Sequence, residues 1–283
     1  MILIVTSSED AASMNIRGRL LELAKWGAGG SFSGSDVLVH DSLHMVLIEE
    51  AHLKADDLDV KFQDSHGTPP KLVVFASRHR SQSGKATLTV HPIGNYGSAE
   101  YGGKPATLVP SAPLEMTFAL SRLRHHGAGL PYEISYEATH HGPSVSTPTF
   151  YIEIGSDDTR WPDPKAAEAI ARTILELNGF EPSSGLPAAA ASLPPIAVGV
   201  GGGHYAPRHT DAALAGLASF GHIVPNHALE EEPERRLEMA LENTPGAKSV
   251  YFHRKAMKKP LVRELEGWCA ENRVAVLRAE KAD

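Results

Sequence analysis

The chain is poor in cysteine, in long apolar runs and in positive charge. Cys269 is the sole cysteine, so no disulfide can close within the chain and no cysteine-built zinc knuckle can form. The longest apolar runs, such as Leu72 to Ala76, fall far short of the roughly 20 residues a membrane-crossing helix needs. The start, Met1-Ile-Leu-Ile-Val-Thr, lacks a basic segment and goes straight into strand-like residues. These absences lead us to expect no membrane contact, no secretion signal and a cytoplasmic location. Lys and Arg number 27 against 34 Asp and Glu, a net charge of −7. That balance speaks against indiscriminate binding of DNA or other nucleic acid, which needs clustered cations facing the phosphates. Local clusters do occur: Lys248 to Arg263 carries six Lys or Arg and no acid. Acid gathers at Glu230-Glu-Glu-Pro-Glu234 and at Asp56-Asp-Leu-Asp59.

With 283 residues, 42% of them apolar, the chain can bury a substantial core. Strand-like stretches at 1–5, 36–40, 43–48, 71–76, 86–91, 132–138, 148–154, 195–200, 221–224, 248–252 and 273–277 alternate with amphipathic stretches near 10–25, 113–126, 163–178, 207–219, 232–243 and 260–271. The alternation predicts an α/β fold, with helices flanking a mixed, mostly parallel central sheet. Stretches 132–138 and 148–154 are joined by a loop too short for a crossover helix and are expected to pair antiparallel. The chain reads as one compact domain over 1–283. A Pro/Ala/Ser-rich connector near 181–195 is where two subdomains would part.

Histidine, by contrast, is plentiful: fifteen, against eight Phe and seven Tyr. His79, His91, His140, His141, His204 and His227 follow predicted strands, where turns of an α/β sheet can bring distant residues together. Each taken alone is also what a turn residue bonded to nearby backbone looks like. A crevice rich in His and without Cys suits zinc, whose catalytic sites use three protein ligands and leave one position for water. Spacing and turns place the metal on His140, His204 and His209. Glu137, three residues before His140, can ligate or act as general base, or form a structural ion pair. The run Gly199-Val-Gly-Gly-Gly-His204 breaks the dinucleotide fingerprint at its last position, and no G-x-S-x-G elbow is present. Its glycines still open backbone N–H groups at a helix start to a phosphate or an oxyanion.

Five blocks, Ser77-Arg-His79, His91-Pro-Ile-Gly-Asn95, Glu137-Ala-Thr-His-His-Gly-Pro143, Gly201-Gly-Gly-His-Tyr-Ala-Pro-Arg-His-Thr210 and Gly221-His-Ile-Val-Pro-Asn-His227, occur in this order. Together they resemble the archaeal and plant type of D-aminoacyl-tRNA deacylase, from the N-terminal strand nearly to the C-terminus. The resemblance implies a three-layer, phosphorylase/hydrolase-like fold and a monomeric, zinc-dependent hydrolase that removes D-amino acids from mischarged tRNA. On that reading Glu137, His91 or His141 handles the proton of water, and the backbone of Gly202 and Gly203 holds the oxyanion. Asn95 and Tyr96 meet the terminal adenosine beside Arg78 and His79. Lys104, Arg254, Lys255, Lys258 and Lys259 grip acceptor-stem phosphates. A hydrolase of peptidyl-tRNA or N-acyl-aminoacyl-tRNA, or a non-enzymatic binder of tRNA ends, stays open on the residues alone.

Overall fold

In the computed structural model, which describes residues 1–180 and 194–278, the chain begins with an alternating strand that divides two cores. In β1 (Ile2–Ser7), Leu3 and Val5 enter one apolar cluster and Ile4 the other, because successive side chains of a strand face opposite ways. Helix α1 (Ala11–Leu23) starts on Asp10, whose side chain accepts a hydrogen bond from the backbone N–H of Ser13. The antiparallel strands β2 (Gly27–Phe32), β3 (Ser35–His40) and β4 (Leu43–Ile48) follow, then α2 (Leu58–His66) and the long β5 (Leu72–Arg80). Next come β6 (Thr87–His91), the two-residue strands β7 (Gly94–Asn95) and β8 (Thr107–Leu108), α3 (Pro113–His126), β9 (Glu133–Tyr136), β10 (Thr149–Ser156) and α4 (Pro164–Leu175). The last part holds β11 (Ile196–Val200), α5 (Pro207–Leu214), β12 (Ser219–Val224), α6 (Pro233–Glu242), β13 (Ser249–Phe252), α7 (Lys259–Glu271) and β14 (Ala275–Leu277).

The central sheet has eight strands in the order β2-β3-β4-β1-β5-β10-β6-β9. Its core pairs β4–β1, β1–β5 and β5–β10 are parallel, and so is β6–β9. A second, all-parallel sheet runs β12-β11-β13-β14. This is the three-layer α/β architecture with a mixed, mostly parallel sheet that the alternation predicts. One apolar cluster joins α1, α3 and α4 to the central sheet and continues to Phe220 and Tyr251 of the second sheet. The predicted connector near 181–195 lies almost wholly outside the described residues. The expected antiparallel pairing of 132–138 with 148–154 does not form. β6 lies between the two strands, antiparallel to β10 and parallel to β9. Residues 137–148 therefore cross a strand instead of turning a hairpin.

The reversal of direction between β10 and β6 positions the site. Phe150, Ile152 and Ile154 of β10, Val90 of β6 and Tyr136 of β9 all enter the helix-covered cluster. The period of two then sends Tyr151 and Glu153, His91, and Glu137 to the opposite face. On β5, Val74 and Ala76 fall on the first side, so His79 falls on the second. Four strands thus deliver four chemically active side chains to one face of the sheet.

Candidate active site

Two buried carboxylates anchor the cluster. Glu137, fully shielded from solvent, places Oε2 at 3.4 Å from Nδ1 of His79, 3.6 Å from Nε2 of His140 and 3.1 Å from Nε2 of His204. Glu153 places Oε2 at 3.6 Å from Nδ1 of His79 and 3.4 Å from Nε2 of His91. Loops close over this face. Residues 204–206 run beside the extension of β9, with Ala138 N–H donating to His204 O and Ala206 N–H to Tyr136 O. His140 and His141 are tied to the 93–94 segment, where Gly94 N–H donates to His141 O at 2.7 Å. At Gly142 an added Cβ would stand 2.3 Å from Gly103 N, so only glycine lets the 101–103 loop pass this close.

The tautomers follow from the partners. Nδ1 of His91, His140 and His141 lies 3.1, 2.8 and 2.6 Å from the carbonyl oxygens of Pro92, Ala138 and Gly142. A carbonyl can only accept, so each Nδ1 carries the proton and donates it. In a neutral ring Nε2 then keeps its lone pair. For His140 that lone pair faces the Glu137 carboxylate, an arrangement that is favourable when a cation is shared between them.

Electrostatics follow burial and neighbours. Burial alone would raise the pKa of Glu137, but the close approach of His204 and the charges of His79 and His91 leave it lowered. Burial acts the same way on Glu153, and the facing rings of His79 and His91 outweigh it and hold the carboxylate ionised. For His79 and His91 burial favours the neutral ring, yet the facing Glu153 and Glu137 leave both pKa values raised. His140, buried among His91, His141 and His204, is held well below the ordinary imidazole value. Burial and His91 push His141 down to about 4.

His79, Glu137, His140 and His204 form one group whose candidate ligand atoms all lie within 4.8 Å of one another. His91, Glu137 and Glu153 form another, as do His91, His140 and His141. Zinc bonds of about 2.0–2.1 Å in a tetrahedron separate ligand atoms by roughly 3.3 Å, close to the 3.1–3.6 Å spread around Glu137. Both oxygens of Glu137 are buried without a hydrogen-bond partner, so the donor set fits a metal ion.

His209 departs from its expected place beside His140 and His204. It is 0% exposed, and its ring centroid lies 5.3 Å from Phe220 and 5.7 Å from Tyr251, seated on Gly199. The first turn of α5 directs it into the second sheet. His79, expected at the substrate, stands instead among the candidate ligands. Glu153 was missed by sequence reading. Its signal is a lone acid within Phe150-Tyr-Ile-Glu-Ile154, a strand buried along its whole length.

The other expected contacts divide. Asn95 and Tyr96 line a cleft of about 660 Å³ that His140 and His141 also line. The Asn95 amide N–H groups donate to the carbonyls of Gly102 and Lys104 and so shape that loop. Gly202 N–H donates to Asn226 Oδ1 at 3.2 Å, which removes it from the expected oxyanion pair, while Gly203 is exposed. The exposed Arg78 lies 5.0 Å from the ring centre of Trp161, with Arg80 at 4.6 Å. Lys104, Lys255, Lys258 and Lys259 are exposed, and Arg254 pairs with Glu266. His227 borders the cleft. No helix among the described residues is long and apolar enough to cross a membrane.

Known proteins are similar to this chain in sequence and, in one case, in structure. A protein of Methanosarcina mazei named D-aminoacyl-tRNA deacylase is 39% identical over 266 residues, covering 91% of this chain and 85% of its own. One of Thermococcus kodakarensis with the same name is 35% identical, covering 91% and 92%. The crystal structure of a conserved protein of unknown function superposes with a TM-score of 0.86 at 31% identity, covering 98% of this chain and 94% of the other. The model of the D-aminoacyl-tRNA deacylase family matches residues 66–277, a span that holds His79, His91, Glu137, His140, His141, Glu153 and His204. The chain therefore belongs to the D-aminoacyl-tRNA deacylase family.

Proposed function

We propose that the chain hydrolyses the ester between a D-amino acid and the 3′-terminal ribose of tRNA at the face built on Glu137 and Glu153, with zinc as cofactor. The observation that carries this reading is the orientation of the imidazoles around two buried carboxylates: three rings donate Nδ1–H to backbone, and His140 and His91 direct Nε2 at Glu137 and Glu153. His79, His140, His204 and Glu137 would hold the ion. Zinc in such a donor set supplies Lewis acidity and lowers the pKa of water to about 7.

The chain's own residues do the rest. Glu153 holds His79 and His91 in place through their ring nitrogens. His141, neutral at physiological pH, accepts a hydrogen bond from the attacking water at Nε2 and so aligns it with the ester carbonyl. Gly203 N–H remains as an oxyanion donor. Arg78 and Arg80, braced on Trp161 beside His79, meet terminal phosphates, and Lys104, Lys255, Lys258 and Lys259 meet those of the acceptor stem. The cleft beyond His140 and His141 takes the aminoacyl group. The reading needs no residue from a second copy, as a monomer acting in the cytoplasm would require.

Deacylation of D-Tyr-tRNA, L-Tyr-tRNA and N-acetyl-D-Tyr-tRNA by protein purified without a histidine tag tests the reading, together with its metal content. Rapid loss of D-tyrosine, little turnover of the other two, and activity removed by chelator and restored by zinc are expected. Faster turnover of the N-acetyl ester, or full activity without metal, would overturn it.

A further inference from the structure

We infer that Asp59 is a positioning residue for the hydrolysis: through segment 143–147 it holds His141 in the backbone conformation that presents its ring to the attacking water. The inference rests on the deacylase reading above, in which His141 aligns that water, and extends it to a side chain outside the carboxylate cluster. Asp59 ends the acidic run Asp56-Asp-Leu-Asp59 and lies in the first turn of α2.

That run does not simply face water, as its charge suggests. Asp59 is 3% exposed, and its Oδ2 accepts from Ser146 N–H at 2.9 Å, Thr147 N–H at 2.8 Å and the Thr147 hydroxyl at 2.9 Å. Asp56 Oδ1 accepts from Ser144 N–H at 2.6 Å, and Asp57 N–H donates to Ser144 O at 2.8 Å. Within 143–147, every backbone N–H with a partner among the described residues donates to one of these two carboxylates. The segment belongs to no strand, so the acids supply the acceptors that a sheet neighbour would otherwise offer. Hydrogen bonds to an ionised acceptor are roughly twice as strong as neutral ones. Together they form a clamp, with Asp59 as its buried centre.

What the clamp holds is a strained residue. His141 stands at φ 45°, in the left-handed region, which a residue with a Cβ keeps only when its surroundings impose it. Two ties act beside it: Gly94 N–H donates to His141 O, and Gly142 N–H donates to Tyr101 O at 3.0 Å. The third lies downstream, where Asp56 and Asp59 take up Ser144 to Thr147. With that end released, residues 141–143 relax and the imidazole moves with them. Asp59 itself bonds only to the segment, not to any side chain of the cluster, so its influence on the reaction travels through the chain.

The full-length protein is tested as Asp59→Ala, which removes the acceptor, and as Asp59→Asn, which keeps one oxygen for the donors without the charge. Leu20→Ala, in the buried core under α1, provides a variant of lowered stability with the clamp intact. Kinetics on D-Tyr-tRNA, well below the melting temperature of each protein, are combined with hydrogen exchange of the 141–148 peptide. We expect Asp59→Ala to lower kcat about tenfold or more, with KM within about threefold, and to speed exchange of that peptide. Asp59→Asn should recover part of kcat, and Leu20→Ala should keep both kcat and the peptide's protection. Should Asp59→Ala not fold, Asp59→Asn carries the same comparison. A kcat no lower than that of Leu20→Ala, or unaltered protection of the peptide, overturns the inference while leaving the deacylase reading in place. Wild-type inactivity on D-Tyr-tRNA removes both.

Discussion

Glu153 on β10 and His91 on β6 meet across the antiparallel ladder where the central sheet reverses direction, with Oε2 3.4 Å from Nε2. The same oxygen lies 3.6 Å from Nδ1 of His79. Glu153→Gln keeps the shape and removes the charge that holds both rings. Loss of such an orienting carboxylate costs about 10–100-fold in activity or metal affinity. We expect a fall of that size in kcat for D-Tyr-tRNA, accompanied by weaker zinc retention on dialysis. Unaltered kcat and metal content would show that the carboxylate serves only packing.

His204 and His209, five residues apart, should behave as different kinds of residue. His204→Ala removes a ring 3.1 Å from Glu137 and should abolish hydrolysis while leaving tRNA affinity within severalfold. His209→Ala removes a ring packed on Phe220 and Tyr251. It should lower stability by on the order of 2–4 kcal/mol, with zinc content retained in the folded protein. Denaturant titration and metal analysis on both variants separate the two roles. Zinc loss in a folded His209→Ala protein would return that residue to the site.

The helices were legible because their starts are chemically marked: Pro113, Pro164, Pro207, Pro233 and Pro260 all fall in first turns. Helix α2 was not read, since it begins after Asp57 in a left-handed conformation with no side-chain cap. Strand β2, Gly-Ala-Gly-Gly-Ser-Phe, has no apolar alternation to reveal it. Within the site, His140, His204 and Glu137 stand out by type and position near turns. Glu153 and the role of His79 do not, because both depend on β6 inserting between β9 and β10. That is a long-range pairing that local sequence does not encode. His209 misled for a similar reason, as proximity in sequence says nothing of which side of α5 faces which sheet.

Glycine substitutions offer a paired test of the loop over the site. Gly142→Ala would place a Cβ 2.3 Å from Gly103 N and 2.4 Å from Gly102 C, both backbone atoms. The 101–103 loop must move, and with it the neighbouring His141, so we expect at least a tenfold loss of kcat/KM. Gly18, inside α1, has nothing within 4 Å of an added Cβ. Gly18→Ala should instead stabilise the fold by about 0.5–1 kcal/mol with unchanged activity. Melting curves and kinetics on the two variants check both signs.

Acid sensitivity should trace in part to His222, far from solvent and outside the carboxylate cluster. Val109 O accepts from its Nε2–H at 2.9 Å, so Nδ1 is left to accept from the Thr139 hydroxyl at 3.0 Å. Burial pushes its pKa down to about 4, against about 6.5 in the unfolded chain. Between those values the unfolded state binds a proton that the folded state refuses. The stability that a neutral His222 contributes is therefore complete above about pH 6.5 and lost as pH falls toward 4, about 3 kcal/mol in all. His222→Gln removes the titration. Urea denaturation at pH 7 and pH 4.5 should show wild type losing about 2–3 kcal/mol more than the variant over that interval. Parallel losses in the two proteins would mean that the ring takes up its proton inside the fold, with Thr139 turning to accept it.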